Sequence, residues 1–270
     1  MGRIVDVIQS RRSVRTFENR SLTSEDRAYV EQVIQSIETP FGVPVGFRLL
    51  DAAEHGLKSP VIVGACDYVA AKVERVQGAE LSLGFAFETF CLRAAERGIG
   101  TVMLAASLSR KSFEKAMEVN PDEVMPVASP VGYPATKMSL REGMMRKAIK
   151  SDERLPFSQV FFDDSFGSPL SLDQAGRFAE PLQMLRLAPS ATNKQPWRAV
   201  VDGDAVHFFE EHSLKESALG DIQKVDMGIA LSHFWLTTQE QGLEGRFATC
   251  DLAIIAPEDV EYVTSFVAAR

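Results

Sequence analysis

The chain has few of the residues that mark a cross-linked, metal-bound or membrane-spanning protein. It contains three cysteines, four histidines and two tryptophans in 270 residues. Cys66, Cys91 and Cys250 are far apart and odd in number, so neither a disulfide framework nor a zinc site is expected. We expect a reducing compartment, the cytoplasm. HExxH and CxxC motifs are missing, so no metal is expected. The sequence also shows no signal peptide and no run of about 18 uncharged apolar residues, so no membrane contact is expected.

The chain also has no excess of positive charge. The chain has 29 Lys and Arg against 37 Asp and Glu, a net charge of −8, which argues against a nucleic-acid partner. The charge is uneven, because residues 1–150 carry 20 − 18 = +2 and residues 151–270 carry 9 − 19 = −10. An apolar fraction of 45% suffices for a large core, so a disordered chain is excluded.

Helical spacing of apolar residues predicts two long buried helices, over 81–97 and 226–241, each followed by a glycine. A shorter helix is predicted to begin after Thr23, and another lies over 174–187. Strands are predicted at 47–50, 61–66, 101–104, 125–132, 198–201, 206–209 and 247–256. Residues 136–180 are predicted to form a long irregular connector.

The two long helices resemble each other. Windows of 15 residues that begin at Gly84 and Gly228 share six identities, and each helix is preceded by a proline-initiated loop, an aromatic-Arg pair and a strand. The same order of elements twice predicts an internal duplication. The expected fold is α+β, with halves at 1–160 and 161–270, each a mixed sheet packed on helices.

Three segments could carry chemistry. Arg11, Arg12, Ser13 and Arg15 offer guanidinium groups and a hydroxyl that suit a phosphate, although a solvated basic turn is the alternative. The loop 188–197 is rigid, and its Asn and Gln amides match the edge of a flat heterocycle, with an ordinary loop as the alternative. In the third segment, 98–106, small residues allow close approach of a ligand to the backbone, unless it is only a tight helix-to-strand turn.

Together these three segments resemble the nitroreductase family of flavin enzymes. The order typical of that family is Arg-Arg-Ser-x-Arg, here at 11–15, then Gly-Ile-Gly-Thr at 98–101 and Gly-Tyr-Pro at 132–134. The Pro-Ser-Ala-x-Asn-x-Gln-Pro-Trp loop at 189–197 is the most specific of them. In most family members this loop follows the Arg-Arg-Ser segment in the same half, whereas here it lies in the second half and Pro40–Pro44 takes its place. The pattern is similar to a subgroup in which one chain holds two nitroreductase-like halves, and Asp226–Ala230 followed by His233 also fits that subgroup.

The resemblance implies one FMN per chain at the junction of the halves. Family members are homodimers in which one subunit binds the phosphate and the other contacts the ring, so this chain is expected to be an intrachain pseudo-dimer, a monomer or a weak homodimer. The implied FMN contacts form three groups, according to the part of the cofactor that they would touch. Phosphate and ribityl contacts are implied for Arg11, Arg12, Ser13, Arg15, Lys150 and Arg154; ring contacts for Pro189, Ser190, Ala191 and Asn193; and backbone donors toward N5 for Ala105 and Ala106.

The resemblance also implies an activity. Hydride would pass from NAD(P)H through flavin N5 to a small nitroaromatic or quinone-like acceptor in a ping-pong reaction, with no obligatory side-chain acid or base. The alternatives are a flavin-binding sensor without significant turnover and a scaffold without a ligand. Gln195 is expected to stabilise the loop, and His233 is interpreted as a core histidine. The hypothesis requires that the opening arginines and the loop at 189–193 line one cavity.

Overall fold

The computed structural model describes residues 3–269, which form two sheets and a set of helices between and around them. The helices are α1 Ile4–Ser10, α2 Ser24–Ser36, α3 Ala52–His55, α4 Ala79–Glu96, α5 Arg110–Ala116, α6 Leu140–Ala148, α7 Phe157–Val160, α8 Ala179–Arg186 and α9 Ile222–Glu240. The strands are β1 Gly46–Asp51, β2 Asp67–Glu74, β3 Gly100–Thr101, β4 Glu123–Val124, β5 Ala128–Gly132, β6 Phe161–Asp163, β7 Trp197–Asp202, β8 Ala205–Glu211, β9 Gly245–Ala248 and β10 Val260–Ala268. Short 3-10 turns occur at Gly176–Phe178 and Ala191–Asn193.

The strands of the first sheet precede residue 160 in the sequence, and those of the second sheet follow it. The first has the order β1-β2-β5-β3 with β4 beside β2, and the second has the order β6-β7-β8-β10-β9. The named strands of the first sheet pair antiparallel, and isolated parallel bridges join Ser13 to Thr101 and Thr16 to Val63. In the second sheet, β6 and β7 are parallel and the other pairs antiparallel. The predicted α+β class with two mixed sheets packed on helices is confirmed.

The long helices α4 and α9 pack against each other between the sheets. A Cβ added at Gly84 would lie 2.0 Å from the Val225 carbonyl oxygen, and one added at Gly228 would lie 2.2 Å from the Leu81 carbonyl oxygen. The two contacts are equivalent, because 81 and 84 differ from 225 and 228 by the same 144 positions. Glycine at both sites therefore allows the backbones to touch.

One apolar core connects the two sheets through this helix pair. Phe87 and Phe90 of α4, Phe234 of α9 and Trp197 and Phe208 of the second sheet are fully buried in the same cluster. Rings of the second sheet and α9 meet mostly edge to face, as Phe208 and Phe234 do at 5.1 Å. No helix within residues 3–269 has the length and apolar content needed to span a bilayer.

Several predicted elements match the structure. Thr23 caps α2 by accepting from the Asp26 N–H, and Gly98 follows α4 with a φ of +76°. The predicted strand pair at 198–209 is β7 and β8, which turn at Gly203. The helix predicted from residue 226 begins earlier, at Ile222, because the Asp221 carboxylate accepts from the Gln223 and Lys224 N–H groups.

Other predictions are wrong. The run 61–66 is no strand, because Gly64 has a φ of +78° and its backbone lies against the Phe17 carbonyl. The strand follows it, as β2, whose charged residues obscure the pattern. The last strand is β10, since 247–256 contributes only the end of β9. The connector predicted at 136–180 contains α6, α7 and β6, and α6 begins where the Ser139 hydroxyl accepts from the Glu142 N–H.

Candidate functional site

A cavity of about 470 Å³ lies between the two halves of the chain. Most of its wall comes from five segments: the end of α1 and the following turn, the strand-to-loop segment 101–107, the connector 145–154, the loop 187–193 and the first turns of α9. Glu88 and Cys91 of α4 also line it. Eleven of the twelve predicted cofactor contacts line it: Arg11, Arg12, Ser13, Arg15, Ala105, Ala106, Arg154, Pro189, Ser190, Ala191 and Asn193. The condition that the arginines and the loop share one cavity is met by this geometry.

The arginine segment reaches the cavity because α1 ends just before it. Arg11 is extended after the last turn, and Val14 donates its N–H to the Thr101 carbonyl at 2.9 Å. This bridge directs Arg11 and Arg15 inward, where each side chain is only 9% exposed. Burial lowers the pKa of Arg15, and the nearby Glu142 carboxylate partly offsets that effect. Arg12 is exposed at the cavity rim.

Arg11 belongs to a buried polar chain that connects the halves. Its Nε lies 3.5 Å from Glu88 Oε1 on α4, and the same oxygen lies 2.9 Å from His233 Nε2 on α9. The other ring nitrogen, Nδ1, lies 3.0 Å from the Met184 carbonyl. A carbonyl oxygen can only accept, so Nδ1 donates a proton to it, and Nε2 lies within hydrogen-bond distance of the carboxylate. His233 is thus a buried histidine with both nitrogens partnered, joined through Glu88 to the cavity wall.

The loop 189–193 is held in a strained conformation at the opposite wall. Thr192 and Asn193 have φ values of +50° and +59°, a region that is costly for residues other than glycine. Ser190 Oγ accepts from the Gln195 N–H at 2.9 Å. Both Asp226 carboxylate oxygens lie 3.0 Å from the Ala191 N–H, and burial raises the pKa of Asp226 well above its ordinary value. Asp226 therefore joins α9 to the loop at the cavity surface.

Asn193 and Lys150 both make contacts within the protein. The Asn193 amide nitrogen donates to the Lys150 carbonyl at 2.8 Å and the Glu153 carbonyl at 3.1 Å, so this side chain ties the loop to the connector and its two amide protons are already used. Lys150 is the one predicted contact outside the cavity wall. Its ammonium pairs with Glu153 at 3.3 Å and is 70% exposed, because a φ of +49° turns the chain there.

Arg154 lines the cavity and also holds neighbouring loop segments together through hydrogen bonds. Its guanidinium donates to the Leu187 carbonyl at 3.0 Å, to the Ser151 carbonyl at 2.9 Å and to Asn193 Oδ1 at 3.3 Å. Burial lowers the pKa of Arg154, and the neighbouring Arg11 charge adds to this shift. Two cations held close together in a half-buried site favour an anion between them. Gln195 lies behind the loop, where its Oε1 accepts from the Leu155 N–H at 2.9 Å.

The segment after β3 offers backbone donors. The Leu104 N–H is bonded to the Ala128 carbonyl at 2.8 Å, and Arg110 holds the Ala105 carbonyl. Within residues 3–269 the N–H groups of Ala105 and Ala106 make no hydrogen bond. Ala105 is half-buried and Ala106 exposed, so both donors are available to a ligand in the cavity.

Buried polar atoms without partners concentrate at this cavity. Among the residues described, five of the eight such atoms belong to its wall: Arg11 Nε, Arg15 Nε and Nη1, Glu88 Oε2 and Ser151 Oγ. A buried polar atom without a partner costs about 1–3 kcal/mol, so their clustering indicates a polar ligand. Five arginines line the wall against three acids, Glu88, Asp152 and Asp226, which favours an anionic one.

Sequence reasoning missed several residues of the wall. Arg146, which pairs with Asp152 at 2.5 Å, and Ser151 lie in the segment predicted to be irregular. Glu88 had a detectable signal, since it is the charged residue in the middle of an apolar helix. Cys91 also lines the cavity, and burial raises the pKa of its thiol; nothing in its sequence context distinguishes it from a core residue.

The fold and the cavity define a two-sheet α+β protein with an arginine-lined cavity between its two sheets. The profile of the family described as "Putative TM nitroreductase" matches residues 3–238. This match covers most of the chain, and the protein belongs to that family. The chain matches no protein with curated function.

One solved structure shares the fold over nearly the whole chain, and others match about half of it. A protein described as a putative nitroreductase from Thermotoga maritima superposes with a TM-score of 0.64 at 22% identity, over 98% of this chain and 94% of that one. A putative NADH dehydrogenase/NAD(P)H nitroreductase from Bacteroides thetaiotaomicron matches 52% of this chain and 90% of its own at 23% identity, with a TM-score of 0.43. A nitroreductase with bound FMN from Bacteroides fragilis matches 52% and 92% at 15% identity, with a TM-score of 0.42.

Proposed function

We propose that the protein is an FMN-dependent oxidoreductase that binds one FMN per chain in this cavity, between the halves 1–160 and 161–270. The observation that carries the proposal is the convergence of unpartnered buried donors, Arg11 and Arg15 among them, on one cavity of about 470 Å³ in a member of a nitroreductase family. That volume lies within the range of about 300–1,000 Å³ usual for cofactor sites.

The residues of the wall suit the two ends of FMN. Arg11, Arg12, Ser13 and Arg15, aided by Arg154, would hold the phosphate and ribityl chain, since guanidinium groups bind phosphate through paired donors. Pro189, Ser190 and Ala191 would pack on the ring from the opposite wall. Arg146 joins the phosphate side, whereas Lys150 is left out of it, because its ammonium pairs with Glu153. Asn193 would act by holding the loop against the connector.

Bound FMN would supply the redox chemistry, taking hydride at N5 from NAD(P)H and passing electrons to a small nitroaromatic or quinone-like acceptor in a ping-pong reaction. The chain's own part is to hold and orient. The N–H groups of Ala105 and Ala106 would donate toward the reacting edge. The Ala106 N–H is fixed in place, because it shares a peptide plane with the Ala105 carbonyl that Arg110 holds. Apolar side chains of α9 line the cavity and would exclude water from it: Ile222, Val225 and Ile229.

The helix pair explains why one site is proposed instead of two. Asp226, which bonds the loop at the cavity, is equivalent by the 144-residue offset to Ser82, which accepts from the Thr39 hydroxyl at 3.1 Å. The contact between Glu88 and His233 is likewise equivalent to the contact of 3.1 Å between the Ser232 and Thr89 hydroxyls. The second position thus carries small hydroxyl groups where the first carries ionisable ones, and within residues 3–269 the arginines that suit a phosphate lie at the first.

The test is the identity and stoichiometry of flavin in purified protein. We expect one FMN per chain, and weaker retention in Arg11→Ala. Arg48→Ala is the matched control, because Arg48 is an exposed arginine that pairs with Glu118 at 3.1 Å, outside the cavity. A colourless protein that also fails to bind added FMN would overturn the proposal.

The activity is tested separately from binding. Steady-state oxidation of NADH and NADPH by the FMN-loaded protein should accelerate when a nitroaromatic or quinone acceptor is added. A bound flavin that neither nicotinamide reduces would refute the oxidoreductase and support a flavin-binding sensor in its place.

A further inference from the structure

A second group of ligand-type side chains lies outside the cavity, where β8 ends and α9 begins. Glu210 is on β8, His212 follows the strand, and Asp221 precedes the helix. One ligand atom from each lies within 4.8 Å of the others. We propose that Glu210, His212 and Asp221 form a binding site for a divalent first-row transition-metal ion of the Zn²⁺ class.

Glu210 is the strongest indication of a missing ligand. Its side chain is 0% exposed, and neither carboxylate oxygen has a hydrogen-bond partner within the described part of the chain. A fully buried carboxylate without donors is costly unless a cation compensates it. The carboxylate points toward the other two residues, since Oε1 lies 3.2 Å from His212 Nδ1.

The spacing suits a small ion. With metal–ligand distances of about 2.1 Å, neighbouring ligands of a tetrahedral ion lie about 3.4 Å apart. The 3.2 Å between Glu210 and His212 is close to this value, and atoms within 4.8 Å need only a small side-chain movement to reach it. One histidine nitrogen with two carboxylates is a mixed ligand set, which favours zinc or a similar ion over Mg²⁺ or Ca²⁺, both of which prefer oxygen alone.

The surrounding groups hold the three ligands as outer partners do in metal sites. His212 Nε2 lies 3.1 Å from a carboxylate oxygen of Glu261, so a carboxylate on one ring nitrogen orients the other toward the ion. One oxygen of Asp221 is taken by the N–H groups of Gln223 and Lys224, which leaves the other for a ligand. The His212 side chain is 37% exposed and gives the ion access from solvent.

The local charge also favours a cation. Glu210, Asp221 and Glu261 bring three carboxylates together, and among residues 3–269 the ammonium beside them belongs to Lys224, which lies 3.6 Å from Glu261. The balance of three carboxylates and one ammonium is two negative charges, which a divalent ion would neutralise. Lys224 pairs with the outer carboxylate, and the Glu210 oxygens have no hydrogen bond within the described part of the chain.

The experiment is titration of untagged, chelator-treated protein with Zn²⁺, followed by calorimetry and by the midpoint of thermal unfolding. We expect one site per chain and a rise in the midpoint. His212→Ala and Glu210→Gln should each weaken binding at least about tenfold, and Glu261→Gln about tenfold, as is usual for outer partners. His55→Ala is the control, since His55 and Glu54, 3.9 Å apart, form a surface His-Glu pair elsewhere, and it should bind like the parent.

Two results would overturn the proposal. One is the lack of saturable binding by the parent protein with Zn²⁺ in large excess. The other is unchanged affinity in His212→Ala, which would place the zinc elsewhere, for example on the half-exposed thiols of Cys66 and Cys250. Because His212 is partly exposed, this variant should fold even if Glu210→Gln does not, and circular dichroism of both variants separates loss of the site from loss of the fold.

Discussion

Substitution of Gly84 by alanine tests whether the contact between α4 and α9 holds the two halves together. The added Cβ would lie 2.0 Å from the Val225 carbonyl oxygen and 2.8 Å from its carbon. Ordinary contact begins at 3.4 Å, so the backbones must separate by about 3.4 − 2.0 = 1.4 Å. Both clashing atoms belong to the α9 backbone, which moves only if the helix moves.

The magnitude follows from two opposing effects. Overpacking costs about 1–3 kcal/mol, and the rigid backbone on both sides places Gly84→Ala at the upper end of that range. Alanine regains about 1 kcal/mol over glycine inside a helix, so we expect a net loss of about 2 kcal/mol in the free energy of unfolding. For a chain of this size that corresponds to a fall of about 4–8 °C in the thermal midpoint. FMN retention should fall as well, because Glu88 and Asp226 lie on the separated helices.

Urea unfolding and thermal unfolding measure the effect, and Gly143→Ala is the matched control. Gly143 is also helical, in α6, but a Cβ there meets nothing within 4 Å. Its replacement should stabilise the protein by about 0.5–1 kcal/mol. If Gly84→Ala were as stable as Gly143→Ala, the helix contact would not be as close as described, and the reasoning would fail.

Three further predictions concern the cavity wall. Glu88→Gln should destabilise the flavin-free protein by about 3 kcal/mol, because it leaves the buried Arg11 guanidinium without a counter-charge; urea unfolding should show a smaller loss with FMN present, and an equal loss would contradict a phosphate role for Arg11. For Asp226, whose pKa is raised, the folded protein binds more protons than the unfolded chain above about pH 4, so stability falls as pH rises, by at most about 1.4 kcal/mol per unit. Asp226→Asn should fall less steeply in unfolding measured across that range, and parallel curves would refute this. Thr192→Gly should stabilise the protein by about 1 kcal/mol by relieving a φ of +50°, and a lower unfolding midpoint would count against strain in the loop.

The buried helices could be predicted from the sequence because their signals are local. Apolar residues at helical spacing, followed by Gly98 and Gly242, identified α4 and α9, and both glycines have positive φ. Strands were harder to predict. In β2 and β10, charged and hydroxyl residues interrupt the apolar ones without a regular period. Their place in the sheets depends on partners distant in the chain.

The candidate cavity could be predicted in part. The arginine segment and the loop at 189–193 have distinctive residues, and the structure brings them to one wall. Arg146 and Ser151 were missed because their segment has no clear period, and the cap at Ser139 that starts its helix was overlooked. The exposed position of Lys150 follows from a local turn with positive φ. The pattern of side chains around it does not predict this turn.

By itself, the sequence determined the class of the fold, the repeat of the long helix at 144 residues and the residue types able to bind a phosphate and a flat ring. Only the tertiary structure decided which of these face each other. Glu88 meets His233 across 145 positions, and Asp221 reaches Glu210 and His212 through the packing of a helix end on a strand end. Such groupings depend on how helices and sheets pack in three dimensions. The local spacing of residues along the chain does not predict that packing, because the residues that meet are far apart in the sequence.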